Sequence, residues 1–221
     1  LLPESLAAEM QIGRTPIREA LQRLSAEGLV TISPHVGAAV KTMDLREYRE
    51  ICQIRLVLEG SCAALTATHR SPAQLAEIKY ALEGLRKLTA IMNEPGEHSA
   101  LWADLLRQDV RFHLAIINAS GNRMMKNEII RLNIMKRLMV GPHTYPSGTE
   151  VERKANRARV MESHDEIYDA IAQGDSRAAR DAMEAHFHDA MRKIMDVLAA
   201  MDRDGLALLV SGEPGKARGA R

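Results

Sequence analysis

The sequence has few aromatics, few cysteines, no long apolar run and almost no net charge. Phe, Tyr and Trp make up 3% of its 221 residues, against a hydrophobic share of 46%. A core must therefore be built from Leu, Ile, Ala and the 12 Met, which suits helices packed against helices. No apolar stretch approaches the length of a membrane span and no signal peptide is visible, so no membrane partner is expected and the expected compartment is the cytoplasm. Cys52 and Cys62 lie on one expected helix, about 15 Å apart along its axis, too far to bridge each other. They read as reduced thiols. A formal net charge of +1 gives no global pull toward a polyanion or a lipid surface.

What is present is most concentrated between Gly13 and Val30. Thr15 is the expected N-cap of a helix, Pro16 suits its first turn and Gly28 its close. Ile17, Ala20, Leu21 and Leu24 form its apolar face, with Arg14, Arg18 and Gln22 off it. A shorter helix carrying Leu6, Ala7 and Met10 precedes it across a tight turn at Gln11–Gly13. Helix, short turn and capped helix with basic residues at its start is the helix-turn-helix pattern, whose second helix enters the DNA major groove. Two strand-like runs, Leu29–Ser33 and Ala38–Thr42, flank the turn formers Pro34-His35-Val36-Gly37, which turns the motif into a winged helix. Within residues 1–43 Arg14, Arg18, Arg23 and Lys41 are balanced by Glu4, Glu9, Glu19 and Glu27. DNA contact would thus rest on where single arginines sit and on dimerisation, not on a basic surface.

From Leu6 to Val40 the residues closely resemble the GntR family of bacterial transcription regulators. That family's pattern is leucine-alanine, a short turn, Arg-Thr-Pro-x-Arg-Glu-Ala-Leu, then Glu-Gly-Leu and a glycine-bearing wing. Gln11 stands where the family usually has glycine, at a turn expected to need positive φ. Gly13 stands where serine or threonine is usual, which removes a phosphate-contacting hydroxyl. The resemblance implies that Arg14 and Arg18 touch base edges or phosphates, Thr15 a phosphate, and His35 to Gly37 the adjacent minor groove. It also implies a further helix upstream, so a trimmed N-terminus is expected.

Beyond Lys41, helical spacing takes over: Asp44–Arg70, Pro72–Met92, His98–Ser120, Asn122–Val140, Glu150–Gln173 and Ser176–Arg203. Breaks fall at Ser71-Pro72, Asn93–Glu97, Gly121, Gly141–Gly148 and Gly174-Asp175. The expected protein is mainly α. It has an N-terminal winged helix-turn-helix over 1–43, an antiparallel all-α bundle of about six helices over 44–205, and a disordered tail over 206–221.

Four polar residues interrupt the apolar stripes of that bundle. Asp109 and His113 share a stripe with Trp102, Leu105 or Leu106, and Ile116, spaced so that they project together. His164 sits among Met161, Ile167 or Tyr168, and Ile171, and His186 among Ala179, Met183 and Ala190. His164 and His186 each lie roughly 15 Å from the bend at Gly174-Asp175, so an antiparallel hairpin sets them side by side. One carboxylate and three imidazoles inside a bundle make a ligand set for a divalent cation, Zn²⁺ or Ni²⁺ first and Mn²⁺ as the alternative. His188 is expected on a solvated face with Arg177, Asp181, Glu184 and Arg192. Asp-x-x-x-His, a later histidine and a last one 22 residues on also resemble the FCD ligand-binding domain of the FadR-like branch, with all four family ligand positions present.

Four protein ligands in a six-coordinate shell leave room for a small carboxylate effector, and the resemblance implies sensing of organic or sugar acids. Arg55, on a stripe with Ile51, Leu58, Cys62 and Leu65, is either a receptor for that anion or one half of an internal salt bridge with a buried Glu. A purely structural metal is the competing reading. A metal-dependent enzyme would need a nearby general base, and no further carboxylate is placed on these stripes. The sequence therefore reads as a homodimeric, effector-responsive regulator of a palindromic operator in double-stranded DNA.

Overall fold

The computed structural model describes residues 2–34, 36–41, 45–96, 98–131 and 149–192. His35, the expected break at Gly141–Gly148, the end of the last helix and the tail over 206–221 lie outside the described residues.

The N-terminal unit follows the expected order with adjusted ends. Helix α1 spans Pro3–Met10 and α2 spans Arg14–Ala26. Between them Gln11 adopts φ 55° and ψ 38°, the left-handed conformation expected of the position, and its N–H caps the carbonyls of Ala7 and Ala8. Thr15 is not the N-cap of α2. Gly13 holds that place with extended backbone and no side chain to offer, so Thr15 falls inside the first turn. At the other end Gly28 has φ 74°; its N–H reaches Ser25 O (3.0 Å) and the Leu29 N–H reaches Leu24 O (2.9 Å). This double closure needs the left-handed residue that glycine supplies without strain. Strands β1 (Val30–Ser33) and β2 (Gly37–Val40) pair antiparallel with Val30 opposite Val40 and Ser33 opposite Gly37. The small core beneath them is Ala7, Ile17, Leu21 and Ala38, with Leu6 against it. Ala20 and Leu24, expected on the apolar face of α2, are exposed among the described residues, while Ile17 and Leu21 of the same face are buried.

Over the described residues the bundle follows its expected helices: α3 is Leu45–His69, α4 Pro72–Asn93, α5 Trp102–Ala119 after a turn of 3-10 helix at Ser99–Leu101, and α6 Arg123–Arg131, the rest of the expected helix to Val140 lying outside the described residues. Helix α7 is Glu150–Gln173, and α8 is described over 176–192. Ser71 with Gln74, and Thr149 with Glu152, form reciprocal capping boxes that fix the starts of α4 and α7. Gly174 (φ 79°) ends α7, and Asp175 Oδ1 accepts the Ala178 N–H (2.9 Å) to start α8. The α7–α8 hairpin is thereby set by local chemistry.

Helix α4 packs against α5 and α7, and α3 packs against both α5 and α7. Two buried or half-buried arginines pin helix ends together. Arg70 donates to Ala67 O and to Ala172 O (2.7 Å), joining the C-termini of α3 and α7. Arg157 donates to Met92 O (3.0 Å) and Asn93 Oδ1 (2.8 Å), joining α7 to the end of α4. Ile78, Leu82, Phe112, Ile116, Ile167, Ile171, Met183 and Phe187 fill the centre. Both phenylalanines of the sequence are in this core. Cys52 and Cys62 are buried in a second cluster with Ile117 and Ile129 and form no disulfide among the described residues. Among the described residues no helix is long and apolar enough to cross a membrane.

Candidate metal centre

Helices α5, α7 and α8 bring three histidines to one point. His113 and His164 are fully buried and His186 is half-buried. Their ring centroids are 5.5 Å (His113–His164), 5.3 Å (His113–His186) and 4.6 Å (His164–His186) apart. One nitrogen from each closes to within 4.8 Å of the other two. Asp109, the fourth expected ligand, is not part of that close set; it meets His164 alone, its Oδ1 3.1 Å from His164 Nε2 on a side chain that is 24% exposed. His188 points away and is exposed, as its stripe predicts.

The outer nitrogens show which way the rings present their lone pairs. His113 Nδ1 is 2.7 Å from Glu59 Oε2; an ionised carboxylate only accepts, so Nδ1 carries the hydrogen. His164 Nδ1 donates to the Val160 carbonyl at 2.7 Å. Ser163 Oγ spends its proton on the same carbonyl at 2.8 Å, so it accepts from His186 Nδ1 at 2.9 Å. With Nδ1 placed outward in each ring, Nε2 is the nitrogen that can offer a lone pair to a metal. Among the described residues His113 Nε2 and His164 Nε2 are buried without a hydrogen-bond partner. Buried ring nitrogens without a hydrogen bond are costly, and a divalent cation is one partner that would satisfy them. Metal–nitrogen bonds of about 2 Å hold donors within about 4 Å of one another, so adjustments of under about an ångström would close the set. The tethering of each outer N–H is the arrangement that orients histidines around metals.

The local electrostatics agree. Burial pushes the Asp109 carboxyl upward, but His164, His113 and His186 outweigh it and hold the group well below the usual carboxylate range. Burial, then the neighbouring His164 and His113, drive His186 well below its ordinary value of 6.5, so its imidazole stays neutral and available as a ligand. Phe112 lies edge-on to His164 (4.9 Å between centroids) and Phe187 flanks His186 (5.3 Å), giving the cluster an apolar collar.

Arg55 does have a buried Glu for a partner. Its Nε lies 2.5 Å from Glu59 Oε1, with the guanidinium over the Phe187 ring at 4.5 Å. Burial raises the Glu59 carboxyl, and Arg55 and His113 together bring it net below the ordinary range. Glu59 is the site residue that the stripe analysis passed over. It stands one helical turn after Arg55, and the i,i+4 spacing was the signal for it. Asp165, beside His164 in sequence, turns outward to Arg86 (2.7 Å).

In the N-terminal unit Arg14, Thr15 and Arg18 are exposed together on the first turns of α2, and Gly37 opens β2 with φ 111°. His35 lies outside the described residues.

Comparison with known proteins follows this division. Residues 2–40 match the model for bacterial regulatory proteins of the gntR family, and residues 50–189 match the FCD domain. The HTH-type transcriptional regulator LutR of Bacillus subtilis is 28% identical over 214 residues, covering 89% of each chain. The Uxu operon transcriptional regulator of Escherichia coli is 26% identical, covering 89% of this chain and 78% of its own. Among solved structures, E. coli McbR/YncC superposes with a TM-score of 0.71 at 22% identity, over 90% of this chain and 87% of that one. A GntR regulator from Rhodococcus sp. RHA1 gives 0.67 at 22% identity, over 89% and 86%. Its winged helix-turn-helix and its helical bundle thus each match a family model, and the chain belongs to the GntR family of bacterial transcription regulators that carry an FCD domain.

Proposed function

We propose that this regulator holds a divalent cation, Zn²⁺ or Ni²⁺ before Mn²⁺, on Asp109, His113, His164 and His186, and senses a small carboxylate there. The observation that supports the reading is the convergence of three imidazoles, each with its Nδ1 tied down by a neighbour. When bound, the cation supplies a Lewis-acidic point for an anion inside an apolar collar. Asp109 keeps 24% of its side-chain surface exposed, where His113 and His164 keep none. Arg55 adds positive charge behind the histidines, held by Glu59; in this reading it contributes field to an arriving carboxylate.

The other half reads DNA. Arg14, Thr15 and Arg18 enter the major groove from the start of α2, with His35 and Gly37 of the wing at the adjacent minor groove. A homodimer in the cytoplasm places two such heads on a palindromic operator. Effector binding shifts their balance only so far as it prefers one arrangement of the dimer over the other.

Calorimetric titration of chelator-stripped protein with Zn²⁺ and Ni²⁺, then of the loaded protein with acetate and a panel of small mono- and dicarboxylic acids, tests the sensing half. Acid binding that requires the metal supports it. Metal that stabilises the fold while no acid binds would favour a purely structural ion. Arg18→Ala should weaken operator binding and leave metal content unchanged; normal operator binding by that variant refutes the assignment of the reading helix.

A further inference from the structure

Helix α3 supplies none of the four candidate ligands, yet it is the helix that follows the wing: β2 ends at Val40 and α3 begins at Leu45. Lys41 Nζ reaches Glu47 Oε1 at 3.5 Å across that junction. We infer that Glu59 is the positioning residue of the metal centre and, braced by Arg55, the link through which occupancy of the site is felt in α3. The inference rests on the metal reading above.

Three observations carry it. Glu59 has no exposed side-chain surface, and Arg55 only 6%. A carboxylate so placed is tolerated only where its oxygens are paired, and here Oε1 accepts from Arg55 Nε, and Oε2 accepts from His113 Nδ1 at 2.7 Å and from Arg55 Nη2 at 3.4 Å. The partner of the His113 ring is thus charged and fixed, where His164 leans on a carbonyl and His186 on a hydroxyl. A carboxylate behind an imidazole fixes its tautomer and makes the opposite nitrogen a better donor to a metal. Arg55 in turn lies over Phe187, next in sequence to His186. The pair therefore touches the ligand of α5 and the neighbour of the ligand on α8, and both of its members belong to α3. A shift of His113 toward an ion must be followed by Glu59 or break a buried hydrogen bond.

The test uses the full chain stripped of metal, with Zn²⁺ as probe. Glu59→Gln keeps the size and an acceptor oxygen but loses the charge. Arg55→Met/Glu59→Gln guards against misfolding, since it leaves no buried guanidinium without a counterion. Zn²⁺ affinity should fall about ten- to a hundredfold in both. Hydrogen exchange supplies a readout that a purely structural role would not move. In the unaltered chain Zn²⁺ should slow exchange in the middle of α3 as well as in α5, α7 and α8, and in the double variant α3 alone should lose that response. A folded double variant binding Zn²⁺ within about threefold of the parent overturns the inference, as does an α3 indifferent to Zn²⁺ in the parent. Failure of the parent chain to bind any ion sinks the metal reading itself, and with it this one.

Discussion

Replacing His164 by leucine separates the cost of an empty centre from the gain of a filled one. In the metal-free fold His164 Nε2 is buried and makes no hydrogen bond, 3.1 Å from Asp109 Oδ1; a buried polar atom left so costs on the order of 1–3 kcal/mol. Its Nδ1 bond to Val160 O returns about 1 kcal/mol, and that carbonyl keeps Ser163 as a donor when the ring is gone. Leucine has similar bulk and suits neighbours such as Phe112. The variant also takes away the ring that faces the Asp109 carboxylate, which offsets that relief, so His164→Leu should leave the metal-free bundle within about 1 kcal/mol of the parent. The filled centre behaves differently. At free Zn²⁺ a hundredfold above its dissociation constant, binding stabilises the parent by about 2.7 kcal/mol, which raises the melting temperature by roughly 5–10 °C for a domain of this size. The variant should show no such rise. Thermal unfolding followed by circular dichroism, with chelator and with added Zn²⁺, measures both. A parent melting temperature that ignores Zn²⁺, or a variant that keeps the parent's response, refutes the argument.

Further outcomes are fixed by other parts of the chain. Gln11→Gly should stabilise the winged unit by about 0.5–1 kcal/mol, the left-handed strain relieved at φ 55° less the entropy glycine adds to the unfolded chain; chemical denaturation of the two proteins compares them. With metal removed, His186 has a folded pKa below its unfolded 6.5. The unfolded chain then binds a proton that the folded chain refuses, so stability is constant above about pH 6.5 and falls below it by up to about 1.4 kcal/mol per pH unit. In His186→Gln that slope should disappear from a denaturation series between pH 7 and 5, taken as rough bounds around the histidine range. Burial pushes the Cys62 thiol upward, and Cys52 is equally enclosed, so iodoacetamide should modify neither cysteine until the bundle unfolds. Rapid labelling of the native protein would contradict that packing.

Local chemistry was enough to place most elements. Capping residues, glycines at left-handed positions and prolines lie next to one another in sequence, so Ser71-Pro72, Gly121, Thr149 and Gly174 mark helix limits without knowledge of any neighbour. The histidine hairpin was legible for the same reason, since equal distances from one bend place His164 opposite His186. What the sequence left open depended on surroundings. Thr15 is the cap its residue type suggests, yet the helix begins at Arg14 and Gly13 holds the place. Ala20 and Leu24 belong to an apolar stripe, but a stripe does not say how much of itself a two-stranded wing will cover. Arg55 had two equal partners on paper, an anion or a buried glutamate. Only the packing of α3 against α5 and α8 brings Glu59 between Arg55 and His113, because a long-range contact is decided by how helices cross and not by the spacing within any one of them.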